Sequence, residues 1–300
     1  MSPRPSVTVV MRTKDSAWSV EQALVGLFSQ RGVSFELLIV DSGSRDHTLE
    51  IVDRFPHRRI DIERTSYLPG RVLNSAVAQC ATRWVAFQNS DVIPLGDDVL
   101  SRLLDRCERT GAVAAFARQL PRPEAWSSVR RDHEQAFPSS DEAPDWLPLS
   151  LPMAVIERDR LIERPFYTEA WASEDTEWGR WARSAGHRIE YVADARVMHS
   201  HNYTLRELAG RKFVEGEADG WMGGRCSVAR VLGRTARETL RDCRRCLKER
   251  TLEQLPGSVA RRCVANWFHA RGCVWGRRRK QQSISDVASG QKFVLARHQR

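Results

Sequence analysis

The feature that most constrains this chain is the alternation of strand and helix signals over its first two hundred residues. Val7-Thr8-Val9-Val10-Met11 is a β-branched run, and Ser16 to Gln30 follows with Val20, Leu24 and Leu27 on one helical face. Phe35 to Val40 reads as a second strand, followed by a polar turn and a helix through Thr48, Ile51 and Val52. Ile60-Asp61-Ile62-Glu63, Trp84-Val85-Ala86-Phe87 and residues 112–117 read as further strands, with helices at 71–81 and 99–107 between them. Such alternation predicts an α/β fold, a Rossmann-like and mostly parallel sheet sandwiched by helices. Ligands in that architecture bind outside the carboxyl ends of the strands. Pro121, Pro123, Pro138, Pro144 and Pro148 interrupt the pattern and predict an irregular excursion over the site rather than a domain boundary.

Composition narrows the class. Of 300 residues 41% are apolar, with ten Trp and ten Phe, so a sizeable core is available and a disordered chain is excluded. No run approaches the ~20 apolar residues of a membrane span. The start, Met1-Ser2-Pro3-Arg4-Pro5 and then a short apolar run, does not read as an export signal. The expectation is a soluble, cytoplasmic protein. Seven cysteines, five of them after residue 220, suit reduced thiols better than a disulfide framework. Cys243-Arg-Arg-Cys246 has the spacing of half a zinc site, but no second paired half follows, and both residues fit a helix-packing stripe.

Charge is unevenly placed. Residues 201–300 carry 22 Lys and Arg against 9 Asp and Glu, whereas residues 1–200 are slightly acidic within a total of +9. The chain therefore divides into a domain over 1–220 and a basic, amphipathic helical region over 221–300. Val228, Val231, Leu232, Leu240, Cys243 and Leu247 form one stripe there. A second segment carries Val259, Cys263, Val264, Trp267, Phe268, Val274 and Trp275, and ends in Arg277-Arg278-Arg279-Lys280. Two readings stand: an interfacial helix on an anionic membrane surface, on the inner face of the cell membrane, or a helical subdomain with a solvated basic face.

Polar clusters close several strands. Asp41-Ser42-Gly43-Ser44-Arg45-Asp46 suits a nucleobase and phosphates, or an ordinary turn with a helix cap. Asn89-Ser90-Asp91 places two oxygen-bearing side chains two apart, as a divalent ion and a ribose would require. Glu174-Asp175 opens a helix, as a general base or as a favourable dipole contact. His199 follows a short strand, as a metal ligand or a buried hydrogen-bonding histidine.

In order and spacing these pieces, with Pro69-Gly70-Arg71-Val72-Leu73-Asn74 and Gly186-His187-Arg188-Ile189, resemble family 2 glycosyltransferases of the GT-A fold over about residues 6–215. His199-Ser-His-Asn-Tyr-Thr204 is most similar to the rhamnosyltransferase-like branch. The resemblance implies an inverting enzyme with a dTDP- or UDP-sugar donor, a glycan or lipid-linked acceptor, and Mg²⁺ or Mn²⁺. It assigns Asp41, Ser42, Gly43, Asn74 and Asn89 to the nucleotide sugar, with Thr13 and Arg71 on the diphosphate. Asp91 and His199 hold the metal, and Asp175 is the catalytic base. Asp15 stands where the family has Asn, Ser42 replaces the second Asp of its turn, and Asn89 replaces the first Asp of its Asp-x-Asp motif. Tyr167 and Trp171 can stack on an acceptor sugar or pack in the core. A nucleotidyltransferase would need a Gly-rich loop where Arg12-Thr13-Lys14-Asp15 stands, and a nucleic-acid-binding protein would need stacking platforms that are missing.

Overall fold

The computed structural model describes residues 6–63 and 67–284. They form two compact units. One comprises residues up to 122, 133–167 and 175–200; the other comprises 123–132, 168–174 and 201 onward. The boundary drawn at residue 220 from charge thus compares with a division by packing near residue 200.

The first unit is built on eight strands: β1 (Val7–Thr13), β2 (Phe35–Asp41), β3 (Arg58–Asp61), β4 (Trp84–Asn89), β5 (Ile93–Pro94), β6 (Ala114–Leu120), β7 (Met153–Glu157) and β8 (Ile189–Met198). They lie in the order β3-β2-β1-β4-β7-β6-β8-β5. β3/β2, β2/β1, β1/β4 and β6/β8 are parallel, whereas β4/β7, β7/β6 and β8/β5 are antiparallel. Alternate residues of β1 and β4 face opposite apolar layers: Val9, Met11 and Ala86 pack with Leu24 and Leu27, whereas Val10, Val85 and Phe87 pack with Leu73 and Trp178.

The helices α1 (Val20–Phe28), α2 (Thr48–Val52), α3 (Pro69–Val77), α4 (Val99–Thr110), α5 (Ser127–Ala136), α6 (Arg158–Glu163) and α7 (Glu174–Ser184) follow along the chain, and α5 belongs to the second unit as far as Asp132. α5 lies inside the stretch expected to be irregular, because residues 124–137 are free of proline and long enough for helical turns. β1 is flanked by β2 and β4, so the chain reverses its direction of addition there. The carboxyl ends of β1, β2 and β4, at Thr13, Asp41 and Asn89, converge at that switch point.

The second unit contains α8 (Leu205–Trp221), α9 (Val228–Glu249) and α10 (Leu255–Gln281). Thr204 and Glu207 form a capping box at the start of α8. α8 and α10 meet through glycines four apart on each helix. A Cβ on Gly216, Gly220, Gly272 or Gly276 would lie 2.0–2.1 Å from a carbonyl oxygen of the facing helix. Beside buried Leu208, Phe213, Val214 and Ala218, the interior holds charged groups. Glu217 and Arg279, 0% and 1% exposed, pair at 2.7 Å. Asp242 receives Arg262 and Arg131, each at 2.7 Å.

On α10 this packing departs from the expected apolar stripe. α10 buries Arg261, Arg262, Asn266 and Arg279 and leaves Trp267 and Val274 exposed. Arg279 is therefore not part of a free cationic end, because Glu217 holds it inside. On α9 the buried residues are Asp242 and Cys246, while Val228, Leu232, Leu240 and Leu247 are 53–71% exposed. Cys243 and Cys246 are free thiols, as are the other five cysteines. Burial pushes the Cys107 thiol up to about 12.

Candidate active site

The turn after β2 is organised by Asp41, which is 1% exposed. Its Oδ1 accepts from Thr13 Oγ1 at 2.9 Å and Ser44 Oγ at 2.5 Å, and its Oδ2 accepts from the Gly43 and Ser44 amides at 2.9 Å each. Four donors occupy the four lone-pair sites of a carboxylate. Gly43 has φ 74°, the left-handed region in which a side chain is costly. The Ser42 amide donates to the Thr13 carbonyl at 3.1 Å, and its buried hydroxyl has no hydrogen-bond partner among the described residues. Asp15, with φ 45°, accepts from the Arg45 amide at 2.8 Å and ties the end of β1 to this turn. Burial opposes the Asp46 carboxylate, but the Thr48 hydroxyl and the Ala17 and Thr48 amides hold it below the usual carboxylate value.

The Pro-Gly-Arg-Val-Leu-Asn segment opens α3. Asn74 donates to the Phe166 carbonyl at 2.8 Å and accepts from the Phe166 amide at 2.9 Å, so both ends of its side chain fasten one backbone segment. Gly70 allows that segment to approach, since a Cβ there would lie 2.0 Å from the Tyr167 carbonyl oxygen. Arg71, between them, is exposed. Tyr167 and Trp171 are both buried.

Asp91 lies just beyond β4. Its Oδ2 is 3.7 Å from His199 Nε2, and both side chains are largely buried. That separation exceeds a hydrogen bond. The imidazole is oriented from behind: Gln119 Nε2 donates to Ser150 Oγ at 2.8 Å, leaving Gln119 Oε1, at 2.7 Å, to accept from His199 Nδ1. The tautomer assigned by this network turns the Nε2 lone pair toward Asp91. A carboxylate oxygen beside an imidazole nitrogen fixed through its other ring nitrogen is a donor set that fits a divalent cation.

Arg122 was not singled out by sequence. It donates from Nη2 to the Asp91 carbonyl at 2.8 Å, its guanidinium lies 4.9 Å from the centre of the Trp18 ring, and its amide donates to Ser200 Oγ at 2.9 Å. The one available signal was position: Gln119 and Arg122 stand at the end of a strand, where ligands gather. Asn89 accepts from Arg12 Nη2 at 3.4 Å and donates its amide to the Pro152 carbonyl at 3.1 Å.

Asp175 reaches the same end of the sheet through β7. Its Oδ2 accepts from the Leu151 amide at 3.3 Å, and its Oδ1 accepts from the Thr176 amide at 2.7 Å. Leu151 is adjacent to Pro152, whose carbonyl receives Asn89, two residues from Asp91. Thus Thr13, Asp41, Asn89, Asp91, Asp175 and His199 belong to the end of the sheet where β1, β2 and β4 terminate, and Asn74 serves the scaffold beside it.

Comparison with known proteins identifies the family and the fold. The sequence model of glycosyl transferase family 2 matches residues 8–158. The O-antigen chain rhamnosyltransferase WbaN of Salmonella anatum is 26% identical over 227 residues, covering 71% of each chain. The succinoglycan biosynthesis protein ExoO of Rhizobium meliloti is 32% identical over 114 residues, covering 37% of this chain and about a third (32%) of that protein. Among solved structures, mannosyltransferase PcManGT from Pyrobaculum calidifontis, in complex with GDP-Man and Mn²⁺, aligns with TM-score 0.59 at 16% identity, covering 98% of this chain and 80% of its own. S. aureus TarS 1-349 in complex with UDP-GlcNAc aligns with TM-score 0.56 at 16% identity, covering 93% and 92%. The fold is GT-A.

Proposed function

Because the chain belongs to glycosyl transferase family 2, we propose that it is an inverting, metal-dependent hexosyltransferase. It moves a sugar from a dTDP- or UDP-sugar to a hydroxyl of a glycan or lipid-linked acceptor in polysaccharide synthesis. The name of WbaN supports rhamnose as that sugar. The observation that carries the reading is the Asp91–His199 pair, oriented by Gln119, at the switch point of the sheet.

Asp91 and His199 would hold the Mg²⁺ or Mn²⁺ ion, which when bound supplies Lewis-acid neutralisation of the leaving diphosphate. Arg122 and Arg71 add positive charge for the same phosphates. The turn of Thr13, Asp41, Ser42 and Gly43 forms the wall for the nucleoside, with Asn89 beside it. Asp175 accepts the proton of the acceptor hydroxyl. That oxygen bonds to the anomeric carbon opposite the diphosphate, the old carbon–oxygen bond breaks toward the diphosphate, and the configuration inverts. The enzyme works in the cytoplasm, peripheral to the inner face of the membrane.

Two measurements test this. A thermal-shift panel of dTDP- and UDP-sugars with Mn²⁺ should raise the melting temperature for the true donor, and chelation should remove the shift. Asp175→Asn should keep that shift while transfer falls by roughly 10²–10⁴-fold. Near-normal transfer by the folded variant overturns the base assignment, and a product that retains its anomeric configuration overturns inversion.

A further inference from the structure

We propose that α9 is the surface by which the helical unit lies on an anionic lipid bilayer. The helix has three faces. Asp242 and Cys246 mark the packed one, joined by Thr235 and Glu238, which receive Asn266 Nδ2 at 3.1 and 3.0 Å. At 3.6 residues per turn, Leu232, Leu240 and Leu247 fall on a second stripe, all of them mostly exposed. Arg237, Arg241, Arg244 and Lys248, spaced four, three and four apart, form a third stripe beside the leucines, and all four are exposed.

The cations of α9 are not used alike. Arg234 and Arg245 are held by Glu238 and Glu249 at 2.9 and 2.7 Å. The four of the third stripe make no ion pair among the described residues. An apolar row beside a row of uncompensated positive charge is what a helix needs to sink its leucines to the acyl boundary and set its arginines on lipid phosphates. A second copy of the chain is a poorer occupant, since it would bring like charges together. Nucleic acid would leave the leucines in water. No helix of the described residues is long and apolar enough to cross a membrane, so α9 would lie on the surface.

The inference sharpens the peripheral placement proposed above, moving it from the α10 terminus, whose Arg279 is internal, to α9. It is read by binding alone, so a failed transfer assay leaves it standing, and failed binding leaves the transferase reading standing. The test is flotation of the full chain with vesicles of phosphatidylcholine alone or mixed with phosphatidylglycerol, at low and high salt. Binding should require phosphatidylglycerol and weaken with salt. Leu240→Glu with Leu247→Glu, and separately Arg241→Glu with Arg244→Glu, should each reduce it by on the order of tenfold or more. Arg278→Glu on α10 should change it little. These sites are exposed, and unchanged helical circular dichroism confirms folding. Equal binding to neutral vesicles, unaltered binding by both α9 pairs, binding of RNA in place of vesicles, or a dimer that buries the stripe would each overturn the proposal.

Discussion

The sheet unit and the helical unit solve the problem of cohesion in opposite ways. In the sheet unit, valines, leucines and phenylalanines fill both layers against β1 and β4, and the polar residues gather at strand ends. In the helical unit, Glu217, Arg279, Asp242, Arg262 and Asn266 lie inside, four glycines bring α8 and α10 into backbone contact, and the leucines Leu232, Leu240 and Leu247 of α9 stand outside. Removal of apolar surface from water holds the first together. In the second, a smaller apolar set around Leu208, Phe213 and Val214 is joined by close backbone approach and by ion pairs whose desolvation offsets much of their attraction. The contrast teaches that hydrophobic periodicity reports what a helix packs against only when its partner is apolar.

The contrast breaks most sharply at the buried ion pair. Arg279→Ala leaves Glu217 without its 2.7 Å partner and should cost roughly 3–5 kcal/mol. Amide hydrogen exchange should show α8 and α10 losing protection while β1 and β4 keep theirs. Equal loss in both units would mean that they unfold as one block, and the contrast would lose its meaning.

A smaller effect probes the sheet unit. Gln119→Ala removes the acceptor behind His199 and should weaken Mn²⁺-dependent donor binding by about 10–100-fold, as such orienting groups typically do. Gln119→Glu should recover part of the loss because a carboxylate still accepts from Nδ1. Calorimetric titration of the nucleotide with and without Mn²⁺ separates this from a folding defect.

The smallest effect is a pH dependence within the helical unit. Burial would raise the Glu215 carboxyl, but Lys212 and Arg211 hold it down to about 2. A depressed acid contributes stability that is complete above its unfolded value of 4.5 and disappears as pH falls toward 2. Thermal unfolding of the helical unit should therefore shift downward between pH 5 and pH 3, and less so in Glu215→Gln.

Much of the sheet unit was legible because β-branched runs and strand-end polar clusters are local signals. Thr13, Asp41, Asn89 and Asp91 stand at or just beyond strand ends, as the alternation implied. Strand direction was less legible: Met153-Ala-Val-Ile-Glu157 is a short apolar run that says nothing of running antiparallel between β4 and β6. Gln119 and Arg122 escaped notice because their aim depends on the irregular register between Ala117 and Arg118 in the β6/β8 pairing. Asn74 looked like a ligand contact and serves Phe166, a partner far away in sequence. On α9 the stripe was legible but its direction was left between two readings, because Arg262 and Asn266 of α10, which take the polar face, are partners distant in sequence.

The strand order also sets a timetable for synthesis. β3, β2, β1 and β4 are complete once residue 89 has emerged, so the part of the sheet that carries Thr13 and Asp41 can assemble early in translation. β4 then remains an open edge until Met153–Glu157 arrives to pair with it, and open edges recruit foreign strands. His199 comes later still, so the Asp91–His199 pair closes among the last contacts of the sheet. A ribosome paused between residues 90 and 153 would hold out a half-sheet that lacks His199 beside Asp91 and leaves β4 unguarded.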